Sequence, residues 1–80
     1  MSWKKALPEP IVLKDGRKLA TMREAGEFIL RLSDRIQASP TVTYATELLL
    51  MAVQTGKRED VSDAAHQVSR ALKAHGFIGR

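Results

Sequence analysis

Apolar residues recur along the chain with spacings that change from element to element. Two short runs come first, Ile11-Val12-Leu13 and Lys18-Leu19-Ala20, flanking Lys14-Asp15-Gly16-Arg17. Asp-Gly between two apolar runs predicts a β-hairpin. Loop length decides which side chains share a face. A two-residue loop pairs Val12 with Leu19 and scatters the apolar residues over both faces. A three-residue loop, with Gly16 left-handed in a bulge, pairs Ile11 with Leu19 and Leu13 with Arg17. The second register gathers Ile11, Leu13 and Leu19 on one face and leaves Val12, Lys18 and Ala20 on the other. It is the expected one, because it gives the cleaner buried face.

The period then changes to that of a helix. Thr21 and Glu24 form a capping-box pattern, and Met22, Ala25, Ile29, Leu32 and Ile36 follow at helical spacing, with Phe28 and Leu30 as flanks. This predicts a first helix running through Ile36, its charged residues on the opposite arc. Arg23–Glu27 and Glu27–Arg31 are spaced to pair along that arc. Ser39-Pro40 reads as a cap followed by proline in the first turn of a second helix, which Gly56 ends. From Thr41 to Thr55 that helix carries one charge, Glu47. Tyr44, Ala45, Leu48, Leu49, Met51, Ala52 and Val53 cover well over half its circumference, and Leu50 points away among Thr43, Thr46 and Gln54. A helix this apolar is expected at the centre of the fold. A third helix starts around Asp60 or Ser62 and shows a stripe of small residues, Val61, Ala64, Ala65, Val68, Ala71 and Leu72. Gly76 suits a Schellman ending that folds Phe77 back onto Leu72, and Ile78 is placed to extend that contact or to add a strand beside the hairpin.

The expected fold is therefore α+β: an N-terminal antiparallel β-hairpin packed on three α-helices, in the order ββααα. A chain of 80 residues makes one domain. Residues 1–9 are expected as an N-terminal arm, 10–21 as the hairpin, and 22–78 as the three-helix layer with its tail. By size scaling such a chain buries roughly 63% of its unfolded surface, a thin core with no cysteine to staple it. No apolar run approaches the roughly 18 residues of a membrane span. Pro8, Glu9 and Pro10 interrupt any apolar stretch after Lys4 and Lys5, so no export signal is expected and the cytoplasm is the expected compartment.

Several of these residues together resemble the small proteins of rhizobia and their relatives catalogued as the domain-of-unknown-function family number nine hundred and eighty-two. The likeness lies in Pro10-Ile11-Val12, in Gly16-Arg17 at the hairpin turn, and in Thr21 with Glu24-Ala25 opening a helix. It continues through Ala45, Ala52 and Gly56 to Ala64 or Ala65, Ala71 and Gly76. Leu32-Ser33 stands where that family often has Trp-Pro, and Leu48 or Leu49 where it often has a cysteine. The resemblance implies a shared fold and a bacterial cytoplasmic setting, with no activity and no functional residues to carry over.

The net charge of +4 sits at the two ends: residues 1–18 carry +3 and residues 57–80 carry +2, while residues 19–38 balance and 39–56 carry −1. That distribution favours solubility over a nucleic-acid-binding stripe. A helix-turn-helix reading of the second and third helices puts Glu59, Asp60 and Asp63 where base contacts belong, and phosphates would repel them. Nucleic-acid binding through Lys14, Arg17 and Lys18 at the hairpin tip is the alternative reading. The two imidazoles, His66 and His75, are nine residues apart, and Asp63 with His66 supplies at most two ligands, so no metal site is expected. Asp63–His66 reads as a surface pair, and His75 as a group beside a helix C-terminus. Ser62, His66 and Ser69 share one side of the third helix on a face expected to be convex, with no oxyanion donors. Met22 and Met51 read as core filler, and Gly16 belongs to the turn. No catalytic residue and no cofactor is expected; the chain reads as non-enzymatic. What remains is contact with a protein partner or with itself as a homodimer, through Leu50 and the hairpin residues Val12, Lys14, Arg17 and Lys18, since a lone hairpin leaves strand edges unpaired.

Overall fold

The computed structural model describes residues 3–78. Its elements are β1 (Ala6–Val12), β2 (Lys18–Thr21), α1 (Met22–Leu30), α2 (Asp34–Gln37), α3 (Pro40–Thr55) and α4 (Arg58–Ala74). The antiparallel hairpin followed by helices is the expected α+β arrangement. Ile11 faces Leu19 and Val12 faces Lys18 across the ladder. The Leu13 N–H donates to Arg17 O and the Gly16 N–H to Leu13 O, with Gly16 at φ +92°. The three-residue loop thus sets the register, burying Ile11, Leu13 and Leu19 and leaving Val12 51% exposed.

β1 begins at Ala6, not at Pro10, so part of the expected arm belongs to the sheet. Leu7 joins the core from there. Ala6 pairs with Thr21, so the ladder slips between Ala6 and Ile11. Pro8 and Pro10 lie in that stretch and have no N–H to donate, which is why the extra residues bulge out of the ladder.

The first predicted helix is broken in two. α1 stops at Leu30, and Ser33 caps α2 by accepting the Ile36 N–H at 3.3 Å. The Gln37 side-chain amide donates to the carbonyls of Leu32 (2.8 Å) and Leu30 (3.3 Å). The break therefore leaves few orphan groups, and serine offers the backbone an alternative to continuing the helix. Leu32 and Ile36 still pack against the core from either side of the bend.

α3 begins as expected, with Ser39 Oγ accepting the Val42 N–H and Pro40 in the first turn, and ends on left-handed Gly56. α4 starts at Arg58, earlier than the expected Asp60 or Ser62. Asp60 instead accepts a 2.6 Å hydrogen bond from Thr55 Oγ1, drawing the two helices together at their junction. At the other end Ser39 Oγ and His75 Nε2 share a hydrogen bond of 3.0 Å, and Gln67 Nε2 donates to Thr41 O. These contacts make α3 and α4 an antiparallel pair, not the roughly 90–120° crossing of a helix-turn-helix. Small residues on α4, Ala64 and Ala71 among them, are fully buried. α3 packs against all three other helices, β1 against α4 and β2 against α1.

α4 closes in the predicted Schellman turn: the Gly76 N–H donates to Lys73 O, the Phe77 N–H to Leu72 O, and Gly76 has φ +81°. Among the described residues the tail adds no strand. It instead contributes one backbone bond, from the Lys14 N–H to Phe77 O at 2.9 Å.

Candidate docking groove

α1 is anchored at its start by three separate contributions. The capping box forms, with Thr21 Oγ1 accepting the Glu24 N–H and Glu24 Oε1 accepting the N–H groups of Ala20 and Thr21. The residues preceding β1 supply the rest: the Met22 N–H donates to Lys5 O, and the Arg23 N–H to Trp3 O. Lys5 Nζ also donates to Gly56 O at 2.6 Å, tying this segment to the end of α3. Together these bonds lay Trp3 along α1, its ring resting on Gly26. A Cβ at Gly26 would stand 3.0 Å from Trp3 Cζ3 and 3.6 Å from Leu49 Cδ2. Glycine in mid-helix costs up to about 1 kcal/mol against alanine, and here it makes room for an indole.

Beside that contact α1 and α3 part to form a groove of about 490 Å³. Ile29, Leu49 and Trp3 line it, Leu30 and Leu50 stand at its edge, and Arg23 and Glu27 form its rim. Leu30 is 75% exposed and Leu50 48%. The α3 surface continues with Tyr44 and Met51, both half exposed. This corrects the sequence expectation, which placed Tyr44 and Met51 on the buried arc. Only Val42, Ala45, Leu49, Ala52 and Val53 of α3 are buried, because so small a fold covers one side of the helix and has no layer for the other.

The residues expected to form an interaction surface do not lie together. Leu50 lines the α1–α3 groove, whereas Val12 lines a separate hollow of about 370 Å³ with Pro10, Ser69, Arg70, Lys73 and Ile78. Lys14, Arg17 and Lys18 are exposed around the hairpin tip and line neither. Arg17 is already engaged: its Nε meets Asp15 Oδ2 at 2.8 Å, and its guanidinium lies 5.6 Å from the centre of the Phe28 ring. Hydrogen bonds from the Arg17 backbone and side chain hold the Asp15 carboxyl below the usual carboxylate range. Sequence periodicity passes over Trp3 and Gly26, and it places Leu30 as a flank of the buried arc, whereas α1 leaves it exposed because no layer covers that side of the helix. A glycine inside an otherwise good helix pattern is the signal that points to a close contact there.

Elsewhere the chemistry is sparse. Ser62, His66 and Ser69 line a hollow of about 380 Å³ with Pro8, Glu9 and Pro10, not the expected convex face, because β1 lies across α4. Neither serine hydroxyl is hydrogen-bonded to His66 among the described residues. Asp63 and His66 share a second hollow with Tyr44 and Arg70 but form no ion pair. Among the described residues no three His, Cys, Asp or Glu side chains converge as metal ligands, and no helix is long and apolar enough to cross a membrane. Neither a protein-family model, nor a curated protein, nor a solved structure matches the chain.

Proposed function

We propose that this is a small non-enzymatic protein that acts in the cytoplasm by protein–protein contact, with the α1–α3 groove as its docking surface. The observation that carries this reading is the pair of leucines, Leu30 and Leu50, left exposed at the edge of an apolar groove. Interface centres are depleted of charge and enriched in aromatic residues and methionine. α3, with Glu47 as its only charge and with Tyr44, Leu50 and Met51 all about half exposed, has that composition along its outer surface. Membership of the small-protein family that the sequence resembles belongs to the same proposal. Nucleic-acid binding by Lys14, Arg17 and Lys18 has less support, since Arg17 is paired with Asp15.

Affinity capture from native cells tests the reading, using the wild-type chain and a Leu50→Glu variant whose circular dichroism is unchanged. The wild type is expected to retain protein, a second copy included, that the variant does not. Identical captures by both, or tight sequence-preferring nucleic-acid binding that persists at about 200 mM salt, would overturn it.

A further inference from the structure

We propose that the occupant of the groove is a second copy of this chain, docked about a two-fold axis beside Trp3 and Gly26. The inference rests on the reading of the groove as a docking surface and names its partner. The rim carries one cation, Arg23, and one anion, Glu27, four residues apart on α1. They do not pair with each other: the only ion pair among the described residues is Arg17–Asp15. When two copies of α1 run antiparallel across a two-fold axis level with Ala25, Arg23 of each faces Glu27 of the other. The two unpaired couples, one from each copy, become two complementary pairs, because an isologous contact uses every residue twice.

Charge elsewhere on the molecule argues for the same occupant. The excess of positive charge lies in residues 1–18 and 57–80, whereas the residues lining the groove carry one charge of each sign, so two copies meet there without net repulsion. A strongly acidic partner would find no excess positive charge there to answer its own. The axis also brings the Trp3 rings of the two copies together at the centre of the contact, with Leu30 and Leu50 around them. A buried aromatic ringed by aliphatic groups is the usual energetic centre of a protein contact.

Sedimentation equilibrium of the full chain, from low to high micromolar concentration, tests the proposal. The mass is expected to rise from 8.9 kDa toward twice that value. Emission from Trp3, the single tryptophan, should shift to the blue over the same range. Arg23→Glu gives a rim of two acids and Glu27→Arg a rim of two bases, and each alone should weaken association by about tenfold or more. The double exchange should restore it, and so should mixing the two single variants. A constant 8.9 kDa, or a dimer indifferent to all of these exchanges, overturns the second-copy proposal. A chain that stays monomeric but captures a different protein through Leu50 leaves the docking reading standing. A dimer and a set of captured proteins that are both unchanged by Leu50→Glu defeat the two together.

Discussion

α3 and α4 are nearly equal in length and pack side by side, yet they finish their outer surfaces differently. α4 buries Val61, Ala64, Val68, Ala71 and Leu72 and turns Glu59, Asp63, His66, Arg70 and Lys73 to the outside. α3 buries a similar stripe but presents Tyr44, Leu50 and Met51 with a single charge among them. Packing explains both inner faces. Only α4 is also explained on its outer face, as a solvated amphipathic helix. The contrast separates what holds the fold from what the fold leaves available.

Adjacent residues on α3 sharpen that contrast most. Leu49 is buried against the groove floor and Leu50 stands at its edge. Leu49→Ala should destabilise the chain by about 2–5 kcal/mol, whereas Leu50→Ser should change stability by less than about 0.5 kcal/mol, in denaturant melts at concentrations where the chain is monomeric. Equal sensitivities would mean that the outer face of α3 is structural after all. The hairpin offers the same pairing of inside and outside: Leu19→Ala should cost about 2–4 kcal/mol and Val12→Thr under about 1 kcal/mol. A more sensitive Val12 would reverse the register.

A smaller effect is expected where α3 and α4 are tied at their far ends. Ser39→Ala removes both the cap on the Val42 N–H and the bond to His75, and should cost about 1–2 kcal/mol in a thermal melt. No change would show the His75 contact to be idle. Gly26→Ala tests the seat of Trp3. The helix-propensity gain, up to about 1 kcal/mol, opposes the displacement of the indole edge, so the melting midpoint should barely move while Trp3 emission shifts to the red. A large drop in the midpoint would mean that Trp3 holds the fold and not merely the groove wall.

The smallest effect is at Asp15. Its carboxyl is depressed in the folded chain, so its stabilisation is complete at neutral pH. That contribution fades as pH falls below about 4 and through the lower folded value. The wild type should therefore lose slightly more stability than Asp15→Asn between neutral pH and about pH 3. A variant that loses as much would remove Asp15 from the account.

Where local chemistry decides the structure, the sequence was legible. Asp15-Gly16 with the alternation around it specified the register, and Thr21–Glu24, Ser39-Pro40, Gly56 and Gly76 marked real helix ends. The break at Leu32-Ser33 was hidden because Ile29, Leu32 and Ile36 keep helical spacing straight across it. Leu7 and Trp3 were hidden because they pack against residues far along the chain. Of the candidate site only Leu50 was foreseen. An apolar residue on an apolar helix is exposed or buried according to how many neighbours the finished fold can supply, and periodicity does not count neighbours.

The contact between the hairpin tip and the tail bears on how the molecule is made. Phe77 meets the Phe28 ring edge-on at 5.4 Å, and the Arg17 guanidinium lies over that same ring. The Lys14–Phe77 backbone bond adds a link between residues more than sixty positions apart. Such a closure carries a large loop entropy and is slow to form. The hairpin and α1 are synthesised early, but their shared flank stays uncovered until Phe77 has emerged from the ribosome. A ribosome stalled anywhere within α4 would therefore hold an incomplete core open to its surroundings.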